Sequence, residues 1–274
     1  MKNANILIAL TALLMVASCK KKNEPTPAFK ETKISLTTHN LATFSAIKNS
    51  KYLVVFESGL GNDHTVWGNN AVAAKINDNT DVLLYDRAGY GKSGNGPGPR
   101  DIDRLRSELE SVIDKFSNGR KVILIGHSLG GMIIRDYAIK NPLKTAALLF
   151  VDPSHEFYSH PSQAEEDMLY EASRNANGVD FGGTGEAREF IEDLQYARTL
   201  HNLPNVPVIV LTHMKVDATH SPSDMQTLYN AHELLKTGVT DFTHISATKS
   251  GHFIMIDEPN LIIDNFKLLI SKLP

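Results

Sequence analysis

Continuous hydrophobic runs of five or six residues recur along the chain, and polar segments with helical spacing of their apolar residues separate them. Such runs are typical of strands that are buried on both faces of a parallel sheet. They predict strands at residues 52–56, 81–85, 121–125, 146–151 and 206–211, with a further strand at 242–246. Residues 32–38 and 42–47 are short, alternating and rich in threonine, which predicts a hairpin at the start of the fold.

The segments between these runs predict helices at residues 101–117, 129–140, 223–237 and 259–272. Alternation of strand and helix indicates an α/β fold, with a mostly parallel sheet covered by helices on both faces. Residues 155–203 interrupt this rhythm, because they are polar, helical only in patches and contain a glycine cluster. We interpret them as a cap insertion over one end of the sheet, within a single domain that spans residues 32–274.

Composition narrows the class of protein. The chain has 274 residues, of which 42% are hydrophobic, and this excludes a disordered or low-complexity protein. Its 28 basic and 31 acidic residues give a net charge of −3, whereas nucleic-acid binders usually carry a basic surplus. The single cysteine can form neither an intramolecular disulfide nor a cysteine zinc site, and no histidine shows the H-E-x-x-H spacing of a metal site.

The first eighteen residues have the pattern of a secretory signal peptide. Lys2 precedes an apolar run at residues 6–16 that is too short for a membrane-spanning helix, although an uncleaved anchor is the alternative. Val16-Ala17-Ser18-Cys19 also resembles a bacterial lipobox, which implies cleavage before Cys19 and lipid on its thiol. We therefore expect a membrane anchor at Cys19 in a bacterial cell envelope, followed by a tether over residues 19–31.

A candidate nucleophile lies at Gly126-His127-Ser128-Leu129-Gly130-Gly131, which follows a predicted strand and opens a predicted helix. In this context the pattern G-x-S-x-G indicates a serine on a sharp strand-to-helix turn. The glycines two positions before and after the serine remove side chains that would collide there. We predict that Ser128 is the nucleophile, with an ordinary glycine turn as the alternative.

A serine hydroxyl needs a base, and the chain offers eleven histidines. His252 follows the strand predicted at 242–246, which would place it at the same edge of the sheet as Ser128. His127 is adjacent to Ser128, and neighbours on so sharp a turn face apart. We therefore predict His252 as the base.

The third member of the set is expected to be a carboxylate that lies between the serine and the histidine in chain order. Asp152 comes directly after the strand predicted at 146–151, which fixes its direction. Asp217 lies a few residues beyond the strand predicted at 206–211, in a longer loop. Both remain candidates for the acid, and Asp152 is ranked first.

Two backbone N–H groups are candidates for an oxyanion hole. The N–H of Leu129 follows the nucleophile at the start of a helix, where the helix dipole favours negative charge. The loop after the first buried strand, Gly59-Leu60-Gly61, offers the N–H of Leu60 as the second donor.

Residues 89–94 imitate two nucleotide-binding patterns, G-x-G-x-x-G and the end of a P-loop. The first pattern should open a helix, but Asn95-Gly96-Pro97-Gly98-Pro99 follows and forbids one. The second needs glycine at position 86, where the chain has Asp86. We expect Asp86 and Arg87 instead to hold this loop by hydrogen bonds.

Taken in order, five segments resemble the landmarks of the α/β-hydrolase superfamily over about residues 32–273. They are Glu57-Ser58-Gly59-Leu60-Gly61, Tyr85–Gly94, Gly126–Gly131, Val151–Glu156 and Ser250-Gly251-His252. The resemblance implies an eight-stranded sheet with a helical cap, and it implies Ser128 as nucleophile, His252 as base, and Leu60 and Leu129 as oxyanion donors.

The resemblance leaves the acid open. Most members place it after the strand that corresponds to 206–211, which favours Asp217. Others place it one strand earlier, and the segment Val151–His155 is similar to that subgroup, which favours Asp152. The chain departs from the family at Glu57-Ser58-Gly59, where many members have His-Gly.

We expect a serine hydrolase that cleaves a small carboxylic ester or related acyl bond through an acyl-enzyme, with no metal or organic cofactor. A lactonase, a peptidase and a thioesterase are alternatives with the same chemistry. A lipoprotein that binds a ligand without catalysis is the alternative outside enzymes. A haloalkane dehalogenase is disfavoured, because that chemistry needs an aspartate at position 128.

Overall fold

The computed structural model describes residues 29–68, 72–78 and 80–274. The signal peptide predicted at residues 1–18, the lipidation predicted at Cys19 and most of the tether predicted at 19–31 lie outside these residues. Among the described helices, none combines the length and the apolar character that a membrane crossing requires.

One sheet organises the described residues. Its strands are β1 (Lys30–Ser35), β2 (Asn40–Ala46), β3 (Leu53–Glu57), β4 (Asp81–Tyr85), β5 (Val122–Ser128), β6 (Thr145–Pro153), β7 (Val208–His213) and β8 (Phe242–Ala247). The spatial order is β1-β2-β4-β3-β5-β6-β7-β8, and β2 runs antiparallel to both of its neighbours while the other pairs are parallel. The eight-stranded, mostly parallel sheet is therefore confirmed.

Helices connect the strands and cover the sheet. They are α1 (Thr65–Gly68), α2 (Val72–Ile76), α3 (Ile102–Ser117), α4 (Leu129–Lys140), α5 (Gln163–Asn177), α6 (Gly182–Arg188), α7 (Phe190–Ala197), α8 (Pro222–Glu233), α9 (Ile254–Asp257) and α10 (Pro259–Ser271). The helix predicted at 223–237 ends earlier, because a short 3₁₀ turn over Leu234–Lys236 follows α8. The segment 155–203 holds α5, α6 and α7 between β6 and β7, and we call these three helices the cap.

The core lies on both faces of the sheet. Successive residues of β3 alternate between two hydrophobic clusters, because side chains of a strand point to opposite faces. Leu53 and Val55 belong to the cluster beneath α3 and α4, whereas Val54 and Phe56 belong to the cluster beneath α2 and α10. This double burial is the physical reason for the continuous hydrophobic runs, since neither face of these strands meets water.

A buried carboxyl group joins the cap to the rest of the domain. Asp193 of α7 is 2% exposed, and its Oδ1 accepts a hydrogen bond of 2.9 Å from the N–H of Ile102, the first residue of α3. Its Oδ2 has no hydrogen-bond partner among the described residues. Burial raises the pKa of Asp193 to about 8, and the nearby charge of Asp101 adds to this effect. The group is therefore protonated in the folded protein at neutral pH, unlike in the unfolded chain.

We predict that Asp193→Asn removes one pH-dependent component of stability. The folded pKa is raised, so this contribution is complete at low pH and is lost as pH rises through about 8; between about pH 6 and about pH 9 it amounts to about 2–3 kcal/mol. Asparagine keeps the acceptor for Ile102 but cannot ionise. Urea denaturation at both pH values should show that the free energy of unfolding decreases less from the lower to the higher pH in the variant than in the wild type. The exposed Asp264→Asn serves as control, and equal losses in all three proteins would contradict the prediction.

Candidate active site

Ser128 occupies a strained position between β5 and α4. Its φ is 53°, in the left-handed region that residues other than glycine rarely adopt. A Cβ added at Gly126 would lie 2.6 Å from the carbonyl oxygen of Gly130, and one added at Gly130 would lie 2.4 Å from that of Glu57. Both glycines are therefore required for the close backbone packing of this turn, and the serine side chain remains partly accessible.

Asp152 lies beside this turn, on the neighbouring strand. In the ladder between β5 and β6, His127 pairs with Val151 but Ser128 pairs with Pro153, so Asp152 is an extra residue in β6. Such a bulge bends the strand and redirects a side chain. The φ of Asp152 is 48°, so it is positive like that of Ser128.

Asp152 and His252 are brought together by this bulge. The Nδ1 of His252, on the loop after β8, lies 2.5 Å from Oδ2 of Asp152. Since a carboxylate only accepts, the imidazole donates through Nδ1, and in its neutral form its Nε2 carries a lone pair. Ser128, Asp152 and His252 all line the same cleft.

A second histidine shares the carboxylate. The Nδ1 of His213, the last residue of β7, lies 2.6 Å from Oδ2 of Asp152, and the backbone N–H of His213 donates to Oδ1 at 3.1 Å. Both carboxylate oxygens of Asp152 are therefore tied to His213, which is itself 1% exposed. His213 was not among the predicted site residues. Its position at the end of a predicted strand, a few residues before the candidate acid Asp217, was the one sequence signal for His213. With eleven histidines in the chain, that signal is weak.

The structure does not bring Asp217 to His252. Its Oδ1 accepts hydrogen bonds from the backbone and hydroxyl of Thr219 and from the backbone and ring of His220. These contacts lower the pKa of Asp217, with the hydroxyl of Thr219 as the main cause. Asp217 thus closes a local turn on an exposed loop, and Asp152 is the carboxylate in contact with the predicted base.

Electrostatics favour an ionised Asp152. Burial would raise its pKa, but the charge of His213 and hydrogen bonds from His213 and His252 hold the pKa well below its usual range. Burial would lower the pKa of His213, but the charge of Asp152, the hydrogen bond to Asp152 and the charge of Asp217 together leave that pKa raised. Asp152 therefore carries the negative charge at this site and accepts from both imidazoles.

His127 supports the loop of His252 without contacting the serine hydroxyl. Its Nε2 lies 3.0 Å from the carbonyl oxygen of His252 and donates to it, which leaves Nδ1 unprotonated in the neutral ring. Burial lowers the pKa of His127 to about 3, so the ring is neutral at physiological pH. These contacts agree with the prediction that the side chains of His127 and Ser128 face apart.

The two predicted oxyanion residues also lie at this cleft. Leu129 is the first residue of α4, so its N–H belongs to the helix terminus that lacks intrahelical acceptors. The N–H of Leu60 has no acceptor among the described residues. A Cβ added at Gly59 would lie 3.1 Å from Cβ of Ser128, which shows how closely this loop approaches the serine.

The departure from the family at Glu57 has a structural explanation. Glu57 is 1% exposed, and it accepts hydrogen bonds from the hydroxyl of Tyr85 and from the guanidinium of Arg87. Burial raises the pKa of Glu57 to about 7 despite the nearby charge of Arg87. The side chain therefore packs beneath the Leu60 loop and does not enter the cleft.

The cleft above these residues encloses about 70 Å³ and opens to solvent. Much of its wall is apolar, and the apolar lining side chains are Leu60, Leu129, Pro153, Tyr158, Pro161, Leu169, Phe190, Leu228 and Phe253. Four of them come from the segment between β6 and β7, and two of these four, Leu169 of α5 and Phe190 of α7, belong to the cap, which therefore forms part of the wall.

Two clusters in the described part of the chain bring three potential metal ligands within 4.8 Å of one another. One is Asp152, His213 and His252, and the other is Asp63, His64 and Asp86. In the first cluster both rings donate to Asp152. In the second, His64 Nδ1 lies 2.6 Å from Oδ1 of Asp86, while Asp63 accepts from Thr65.

The structure thus places a serine on a strained strand-to-helix turn, a carboxylate on the next strand and a histidine after the last strand. The sequence model of the alpha/beta hydrolase family matches residues 54–264. The chain belongs to this family.

Individual relatives agree with this assignment. The uncharacterized protein YqjL of Bacillus subtilis is 28% identical over 216 residues, which cover 78% of this chain and 81% of that protein. Among solved structures, the epoxide hydrolase CorEH has a TM-score of 0.69 at 14% identity, covering 89% of this chain and 99% of that one. The mouse alpha/beta hydrolase domain-containing protein 10 has a TM-score of 0.66 at 20% identity, with the same coverage. At these identities the two structures support the fold alone.

Proposed function

We propose that the protein is a serine hydrolase that cleaves a small carboxylic ester or a related acyl bond. Ser128 is the nucleophile, His252 the general base and Asp152 the acid that orients it. The observation that carries this proposal is the contact of 2.5 Å between His252 and Asp152 at a cleft that also exposes the strained Ser128.

The proposed reaction has two steps. The hydroxyl of Ser128 attacks the carbonyl carbon while His252 Nε2 takes its proton, and the N–H groups of Leu60 and Leu129 stabilise the oxyanion. The imidazolium then protonates the leaving group, which departs from an acyl-serine. Water, deprotonated by the same imidazole, hydrolyses that ester and restores the hydroxyl.

Two features favour acyl substrates. The apolar wall of the cleft suits an uncharged acyl chain better than an ionic group, since an ion would lose its hydration there. A serine that opened an epoxide would end as an ether, which water does not cleave, so turnover would stop. The similarity to an epoxide hydrolase therefore supports the fold, and it does not support an epoxide as the substrate.

We further propose that the mature chain is anchored to a bacterial membrane by lipid on Cys19. The support is the stretch Val16-Ala17-Ser18-Cys19 after a short apolar run, together with the absence of any other cysteine. The proposed partners are thus a small acyl substrate and the membrane, with no nucleic acid, in the cell envelope.

We predict that Ser128→Ala abolishes hydrolysis of p-nitrophenyl butyrate. Loss of the nucleophile should lower kcat by at least about 1000-fold, because only binding and the oxyanion hole remain. A fluorophosphonate probe should label the wild type but not the variant. Ser154→Ala is the matched control, because its hydroxyl lies 3.4 Å from that of Ser128, and this variant should still be labelled. Unchanged labelling of Ser128→Ala would refute the nucleophile. A wild type that neither turns over nor reacts would instead favour a binding protein.

We predict that the two candidate acids respond differently to the same substitution. Asp152→Asn should lower kcat by about 100- to 10,000-fold, because the amide no longer stabilises the imidazolium and permits the wrong tautomer. Asp217→Asn should stay within about twofold of the wild type, since the hydrogen bonds that the structure gives Asp217 are to Thr219 and His220 of its own loop. Steady-state kinetics with p-nitrophenyl butyrate measure both, and a reversal of the two effects would overturn the assignment.

We predict that Cys19→Ala prevents lipid attachment. In a bacterial host, an alkyne-tagged palmitate should label the full chain, and the substitution should abolish labelling and reduce its recovery with membranes. Ser18→Ala is the control, because it keeps a small residue before the cysteine. Equal labelling of both variants would contradict lipidation at Cys19.

A further inference from the structure

Arg87 lies behind the Leu60 loop, on the side away from the cleft, and all five of its N–H donors have acceptors. Nε and Nη2 donate to the two carboxylate oxygens of Glu186 at 2.7 and 2.8 Å. Nη1 donates to Glu57 at 2.9 Å and to the carbonyl of Ser58 at 2.5 Å, and Nη2 donates to the carbonyl of Gly59 at 3.0 Å. A planar guanidinium with every donor engaged has one orientation, so it fixes the carbonyls that it binds.

The contact with the carbonyl of Gly59 bears directly on the oxyanion hole. The C=O of Gly59 and the N–H of Leu60 belong to one planar trans peptide, in which the two bonds point in opposite directions. When Arg87 holds the carbonyl on the far side of the loop, the N–H of Leu60 must point the other way. The orientation of this donor thus depends on Arg87.

The following peptide is held by a second side chain. The backbone N–H of Gly61 donates to the hydroxyl of Tyr90 at 3.0 Å, and that hydroxyl donates to Oε2 of Glu186 at 2.6 Å. The peptides on both sides of Leu60 are therefore restrained, one by Arg87 and one by Tyr90. Both restraints meet at the carboxylate of Glu186.

Glu186 belongs to α6 of the cap, and it is 1% exposed. The backbone of α6 is fixed against the loop that carries Arg87 and Tyr90, because the N–H of Gly182 donates to the carbonyl of Gly89 at 3.1 Å. A Cβ at Gly182 would lie 2.2 Å from the carbonyl oxygen of Ala88, so the two backbones are in direct contact. The cap can therefore hold Glu186 in a fixed place relative to Arg87 and Tyr90.

We propose that Glu186 is a positioning residue through which the cap aligns the oxyanion donor of Leu60, acting through Arg87 and Tyr90. This inference rests on the proposed function, since it concerns the stabilisation of a tetrahedral intermediate. Glu186 is absent from the residues that line the cleft, so its removal affects the transition state more than substrate binding. The cap is then part of the catalytic machinery as well as a wall of the cleft.

The test compares Glu186→Gln and Tyr90→Phe with the wild type. For Glu186→Gln we expect kcat on p-nitrophenyl butyrate to fall about 10- to 100-fold while KM changes less than about threefold, because the donor is misaligned and the cleft is intact. Affinity for trifluoromethyl propyl ketone, which forms a tetrahedral adduct with the serine, should fall in proportion to kcat/KM. Tyr90→Phe removes one of the two restraints and should give the same split with a smaller loss, and it carries the test alone if Glu186→Gln does not fold.

The matched control is Glu108→Gln. Glu108 forms a buried ion pair with Arg100 that has no contact with the Leu60 loop among the described residues, so the substitution has a comparable cost in packing and charge. Its kcat and ketone affinity should stay within about twofold of the wild type. If the wild type is active and kcat is unchanged in Glu186→Gln and Tyr90→Phe, the inference is wrong but the proposed function stands. The same conclusion follows if Glu108→Gln loses as much kcat as Glu186→Gln. An inactive wild type that also fails to bind the ketone would overturn the proposed function, and the inference with it.

Discussion

The candidate site depends on backbone strain at the ends of two neighbouring strands. Ser128 and Asp152 both have positive φ, at 53° and 48°, which for such residues costs on the order of 1–3 kcal/mol each. This strain persists because the surroundings restrain it: the N–H of Ser154 binds the carbonyl of Ser128 at 2.9 Å, and His213 binds both oxygens of Asp152. The doubly buried sheet beneath is rigid enough to hold both turns, so the hydroxyl and the carboxylate keep a fixed relation before any substrate arrives.

The sequence predicted the sheet well because its signal is local. Residues 81–85 and 122–125 form strands almost as predicted, since continuous apolar runs have few alternatives when both faces are buried. The Ser128 turn was predictable for the same reason, because glycines at 126 and 130 are needed wherever two backbones meet so closely. Both strands of the starting hairpin begin two residues earlier than predicted, at Lys30 and Asn40, since alternation alone defines strand ends poorly.

The choice between Asp152 and Asp217 could not be derived from the sequence, because it depends on strand register. One extra residue in β6 redirects Asp152 toward His252, and no composition rule predicts that bulge. His213 was missed because its role exists only once β6 and β7 are paired. The network of Arg87 was half predicted: its part in holding a loop was expected, but Glu186 lies 99 residues further along the chain and only the tertiary fold brings the two together.

The two histidines on Asp152 have different consequences because their backbones differ. His213 belongs to a central strand and is fixed through its ring and its N–H, so it immobilises the carboxylate. His252 lies on a loop, is 17% exposed at its side chain, and is restrained through its ring by Asp152 and through its carbonyl by His127. A base must exchange protons with substrate and water, which needs the exposed ring, whereas orientation needs the buried one. The same carboxylate can therefore bind both rings, and His252, which we propose as the base, is the ring that the sheet leaves at its edge.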